Sequence, residues 1–179
     1  MKKPYPWSSE SKWFAPFHWT LMGLLLFGSL FISREAHGSD ENGDRFCLAQ
    51  NIYFEAGNQP FIGRFAVANV TLNRVNDLQF PNTVCEVVYQ AKAYKKSWTG
   101  NMIPKRGMCQ FSWYCDGKVD EPKDSVTWIE SIRIADMALQ SANFDVTEGA
   151  LWYHADYVYP YWADHLERVV TIENHIFYK

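Results

Sequence analysis

Apolar positions return at helical spacing from Asp44 to Ala56, where Leu48, Ile52 and Glu55 fall i, i+4, i+7 on one face. The pattern predicts a helix closed by Gly57, a residue suited to a helix C-cap. Asn58-Gln59-Pro60 breaks the chain, and Pro60 suits the start of a new helix. That helix, about Phe61 to Val75, is apolar nearly all round: Phe65, Ala66, Val67, Ala68, Val70 and Leu72 predict a buried element. Asn69 and Asn73 stand i, i+4 on it, suited either to bonding nearby backbone or to lining a cleft. A short helix follows from Thr83 to Tyr89. Residues Ala91 to Lys123 lose helical period and read as a small β-hairpin or β-lobe. Within them Cys109 to Cys115 alternates, placing Gln110, Ser112 and Tyr114 on one face if extended. Asp124 or Ser125 caps a further helix, with Ile129, Ile132 and Leu139 among its expected buried positions. The closing stretch from Gly149 is irregular and aromatic, with short strand-like pieces at Val169–Ile172 and Ile176–Tyr178. The expected class is α+β, mainly α-helical, with a groove between the helices and a β-lobe exposing Glu55.

The amino-terminal pattern is of another kind. Residues Phe17 to Ile32 carry no charge for sixteen positions, with Lys2, Lys3 and Lys12 before them and Arg34, Glu35, Asp40 and Glu41 after. The excess of lysine on the leading side predicts a cytoplasmic N-terminus and an exported remainder. Sixteen residues fall just short of the usual span of about 17–25, and extending back to Trp13 includes Pro16. An uncleaved anchor is favoured over a signal peptide cut near Ala36-His37-Gly38. The expected organisation is residues 1–33 as N-terminus and membrane or signal segment, 34–44 as linker, and 45–179 as the functional domain.

Composition adds three constraints. The 179 residues are 47% hydrophobic and 21% charged, which is globular, and a net charge of −3 argues against nucleic-acid binding. Aromatics reach 17%, suiting either a dense small core or a groove for flat sugar faces. All four cysteines follow the apolar segment, which with export predicts two disulfides. Three pairings are open; the preferred one joins Cys47 to Cys85 and Cys109 to Cys115. The latter requires the five intervening residues to fold back, because an extended run would hold the two Cα atoms too far apart. No CxxC or HExxH spacing is present, so neither the cysteines nor His154, His165 and His175 predict a metal, and no cofactor is expected.

Glu55 is the candidate for chemistry. It continues an apolar stripe and stands in the last helical turn, and both placements disfavour its anion. A carboxyl kept protonated near neutral pH can protonate a glycosidic oxygen. Spacing alone more often means a helix-edge Glu that reaches water.

The segments LAQNIYFEAGNQPFIGRFAVANVTLNRV, FPNTVCEVVYQ, CQFSWYCDG, GALWYHADYVYPYWA and NHIFYK resemble the SleB-type cell wall hydrolases, which include spore-cortex-lytic enzymes, from about Phe46 to Lys179. The resemblance implies a lysozyme-like fold similar to lytic transglycosylases, with Glu55 as the catalytic acid of a Y-x-E-A motif. It implies that Gln110, Phe111 and Ser112 line the substrate groove and that Tyr153 and His154 contact substrate. The implied substrate is the peptidoglycan glycan strand, cut at the β-1,4 bond between N-acetylmuramic acid and N-acetylglucosamine, outside the cytoplasm. The sequence departs from the spore enzymes in showing no separate peptidoglycan-binding repeat domain before the catalytic one, which argues against an expected role in spore germination. Hydrolysis would need a second carboxylate; Asp116, Asp120 and Asp156 are present, but no motif marks them. The rival readings are an amidase, which would need zinc or a Cys/His pair, and a non-catalytic glycan-binding module.

Overall fold

The computed structural model describes residues 41–179 apart from Ala142. The apolar segment of residues 17–32, with its anchor or signal reading, lies outside the described residues. Among the described residues no helix is long and apolar enough to cross a membrane.

Four helices build the core. Helix α1 runs Glu41–Ala56, α2 Phe61–Asn76, α3 Val84–Val88 and α4 Ser125–Gln140. Helix α1 begins at Glu41, inside the stretch expected to be linker. Thr83 caps α3 by accepting from Glu86 N, and Asp124 caps α4 by accepting from Val126 N and Thr127 N. Leu48 and Ile52 of α1 are fully buried, together with Phe65 of α2 and Val87 and Val88 of α3. Helix α4 departs from expectation: Ile129 is half-exposed, and the buried stripe is Ser131, Ile134, Ala135 and Ala138. Small residues on that stripe let α4 lie close against its neighbours, and the larger Ile132 and Leu139 pack at its flanks.

Two small sheets complete the domain. Strands β1 (Ala91–Lys95) and β2 (Met102–Cys109) form an antiparallel hairpin with Tyr94 opposite Ile103. The chain beyond β2 folds back, as the preferred Cys109–Cys115 pairing requires, instead of extending. Ser112–Cys115 is a 3₁₀ turn, and the fold-back brings Cys109 within reach of Cys115. The second disulfide joins Cys47 to Cys85 and so α1 to α3. Strands β3 (Trp152–Ala155), β4 (Arg168–Ile172) and β5 (His175–Tyr178) form an antiparallel sheet in the order β3-β5-β4. Strand β3 falls in the aromatic stretch expected to be irregular.

Helix α2 packs on both sides. Phe65 and Ala68 join the helical core, while Ala66 and Val70 meet Ala150 and Phe177 beneath the three-stranded sheet. Asn69 and Asn73 bond the segment that enters β3 rather than line a cleft. Asn69 donates to Phe144 O and accepts from Val146 N. Asn73 donates to Asp145, Thr147 and Ala150 O. Asp145 in turn accepts from Thr147 N and Gly149 N, where Gly149 takes a φ of +83°. The loop entering β3 is thereby fastened to α2.

Candidate active site

Glu55 occupies the last turn of α1, one residue before the helix ends. Gly57 is required there by space: a Cβ would lie 2.4 Å from Tyr53 O, whose carbonyl accepts from Gly57 N. The stripe of Leu48 and Ile52 carries the Glu55 side chain to the edge of the core, half-buried, at the wall of a cavity of about 650 Å³. Burial pushes its carboxyl above the ordinary value; a hydrogen bond from Tyr153 and the charge of Arg74 act the other way and are weaker. The direction matches the expectation from helical spacing.

Tyr153 Oη donates to Glu55 Oε2 at 3.1 Å. The phenol is held well above its ordinary pKa, first by burial and then by the Glu55 charge, so it stays a donor. With Oε2 accepting from Tyr153, a proton on this carboxyl would sit on Oε1. The His175 ring meets Tyr153 edge-on at 5.3 Å and itself lines the cavity. Burial lowers the His175 pKa and keeps the ring neutral near pH 7, and its Nδ1 is buried without a hydrogen-bond partner.

Arg74 supplies the buried cation. Its Nε donates to Leu151 O at 2.8 Å, and its guanidinium lies 5.2 Å from the Phe80 ring centre and 5.1 Å from that of Phe111. Arg74 and Asn73 together hold Leu151 and Ala150, just ahead of Tyr153 in the chain. The end of α2 thus sets where β3 begins and where the phenol reaches Glu55.

The cavity is walled by the end of α1, the start of α4, the end of β3 and the turn into β5. Its second wall is therefore the three-stranded sheet; no hairpin residue lines it, contrary to the groove expected against a β-lobe. The expected substrate contacts separate accordingly. Tyr153 touches Glu55, whereas its neighbour His154 points to the other face of β3, as successive strand residues must. There its Nδ1 lies 2.9 Å from Ala155 O and its Nε2 2.9 Å from Tyr178 Oη. Phe111 is a core residue at 2% exposure, under Arg74 rather than in a groove. Gln110 and Ser112 are exposed on the chain after β2, away from the cavity lining.

Sequence reasoning passed over Arg74, Asp124, Asn174 and His175 as site residues. Arg74 had one visible signal, a cation deep in an otherwise apolar helix. Asp124 was read only as a cap, which it is, yet it lines the same cavity. Its carboxylate accepts from the Thr127 hydroxyl and from Val126 N at 3.0 Å, and these bonds hold its pKa below the ordinary value.

A family model described as cell wall hydrolase, Hydrolase_2, matches residues 58–178. The chain belongs to the cell wall hydrolase family. The match begins just after Glu55. The spore cortex-lytic enzyme of Bacillus subtilis is 42% identical over 57 residues, covering 32% of this chain and 19% of that enzyme. The Bacillus cereus spore cortex-lytic enzyme is 43% identical over 47 residues, 26% of this chain and 18% of that one. The chain therefore spans about a fifth of the length of the curated relatives it matches. Among solved structures, the catalytic domain of the germination-specific lytic transglycosylase SleB from Bacillus anthracis superposes with a TM-score of 0.57 at 26% identity, over 76% of this chain and 94% of that one. The catalytic domain of Bacillus cereus SleB gives 0.56 at 25% identity, over 80% and 94%. The mixed helix-and-strand fold of this hydrolase is thus that of SleB catalytic domains.

Proposed function

We propose that this cell wall hydrolase cleaves the glycan strand of peptidoglycan between N-acetylmuramic acid and N-acetylglucosamine, acting as a lytic transglycosylase with Glu55 as its one catalytic carboxyl. The observation that carries the reading is the environment of Glu55: a carboxyl pushed up by burial at the wall of the cavity, with one oxygen bound by Tyr153. The resemblance of the fold to a lytic transglycosylase domain supports it. The lysozyme-like arrangement and action outside the cytoplasm belong to the same reading, as does anchoring by residues 17–32.

The steps follow from the proton. Protonated Glu55 gives its proton to the bridging oxygen, and the bond from that oxygen to the muramic acid C1 breaks. The 6-hydroxyl of the same sugar attacks C1, and its proton passes to the Glu55 carboxylate, restoring the acid. No water is consumed, and the product ends in a 1,6-anhydro ring. A group that is acid first and base second is helped by a pKa above the ordinary carboxyl value, and burial moves Glu55 in that direction. Asp124 lines the cavity but holds its oxygens against the α4 amides and Thr127, which fits a single-carboxyl scheme better than a two-carboxylate hydrolysis.

The test is mass spectrometry of the products released from purified peptidoglycan. Muropeptides ending in anhydro-muramic acid, lighter by one water than hydrolysed ones, are expected. Ordinary reducing ends would instead assign hydrolysis and direct attention to Asp124.

A further inference from the structure

The β1–β2 hairpin contributes no residue to the cavity wall. Between Ala91 and Cys109 it carries Lys92, Lys95, Lys96, Lys105 and Arg106 and no acidic residue, in a chain whose net charge is −3. No residue of either strand is buried. None of the five cations has an ion-pair partner among the described residues. A two-stranded ribbon gains little stability by itself, and this one is fastened at its base by the Cys109–Cys115 disulfide and by Gln110 N donating to Gln90 O.

Its apolar side chains are exposed as well. Trp98, in the connection between the strands, is 81% exposed, with Met108 at 50%, Tyr94 at 49% and Met102 at 40%. Lys96 lies with its Nζ 5.2 Å from the Trp98 ring centre. An exposed tryptophan flanked by lysines suits the boundary between headgroups and acyl chains, where the ring sits in the apolar layer and the ammonium groups meet lipid phosphates. A soluble polyanion or an acidic stem peptide would satisfy the charges and leave Trp98 and the methionines in water. An anionic bilayer, with a charged surface and an apolar interior, covers the two together.

We propose that the β1–β2 hairpin is a membrane-contact arm that binds the surface of an anionic phospholipid bilayer, with Trp98 entering the interface and the five cations meeting the headgroups. It acts separately from the Glu55 cavity and from any anchoring by residues 17–32. Contact of this kind would hold the catalytic face at a fixed height above the lipid.

The experiment uses residues 41–179, which hold both hydrophobic cores and both disulfides, and so removes the apolar segment from the measurement. Its binding is measured to vesicles of phosphatidylcholine alone and of phosphatidylcholine with phosphatidylglycerol. Binding to the anionic vesicles is expected to exceed binding to the neutral ones by at least about tenfold and to weaken as salt rises. The double variant Lys95→Glu/Lys96→Glu is expected to lose that excess, and Trp98→Ser to weaken binding several-fold at unchanged charge. Both variants should keep the wild-type melting temperature and release of muropeptides. Equal binding to the two vesicle types, or charge reversal without effect, overturns the proposal. So does a double variant that binds vesicles normally but has lost affinity for purified peptidoglycan, which would make the hairpin a reader of wall acids.

Discussion

Helix α1 ends at the cavity and helix α4 begins there, and each end presents one carboxyl to the same space. Glu55 stands where the helix dipole is negative, against a dry core, with a single donor on one oxygen. Asp124 stands where the dipole is positive, at the surface, with backbone amides and a hydroxyl on its oxygens. Burial raises the first, and hydrogen bonding lowers the second. One cavity thus has on its wall a carboxyl whose pKa is raised and another whose pKa is lowered, without any difference in functional group. Which end of a helix faces a site, and whether amides or aliphatic groups surround the carboxyl, decides its role.

The largest effect should come from removing the donor. Glu55→Gln is expected to lower muropeptide release at least about 100-fold with the circular dichroism spectrum unchanged; comparable lysis by the folded variant would remove Glu55 from the mechanism. Tyr153→Phe should lose several-fold in rate, with a signature in the pH profile. The Tyr153 bond favours the Glu55 anion, so its loss raises the Glu55 pKa further and moves the alkaline limb to higher pH. An unmoved limb would reduce Tyr153 to packing.

Asp124→Asn should keep most of the lytic rate while lowering the melting temperature, because the amide caps α4 less well than the anion. A rate as low as that of Glu55→Gln would make the pair a two-carboxylate machine. The smallest effect concerns stability. A carboxyl whose folded pKa is raised destabilises the fold above that pKa, where it must ionise while buried, and costs nothing below its unfolded value near 4.5. Glu55→Gln should therefore melt higher than wild type at pH 7, and the gap should close as the pH falls below about 4. A gap that persists in acid would attribute it to packing instead.

The helices were legible because their signals are local: the period of α1 and α2, the Asp124 cap, the Pro60 break. Glu55 was legible for the same reason, since its stripe and its turn both lie within α1. The rest depends on partners distant in the chain. Nothing in WYHA alternates between polar and apolar residues, so β3 emerges only when β5 pairs with it, and without a strand Tyr153 and His154 cannot be assigned to opposite faces. The alternation from Cys109 to Cys115 is by itself that of a strand, and the fold-back was legible only through the preferred Cys109–Cys115 pairing. The α4 face was misjudged for a related reason: large residues draw the eye, whereas close helix packing selects Ser131, Ala135 and Ala138. Asn174 and His175 reach the cavity from the far end of the chain, a placement no spacing records.

The bond from Tyr153 to a single oxygen of Glu55 also bears on inhibitor design. In the proposed mechanism the resting Glu55 carboxyl is protonated and a hydrogen-bond donor, so a cationic sugar mimic would gain no salt bridge from it. A compound that presents an uncharged acceptor, an N-oxide or an amide carbonyl, in place of the bridging oxygen would be matched to the resting enzyme, with any positive charge placed to meet Asp124.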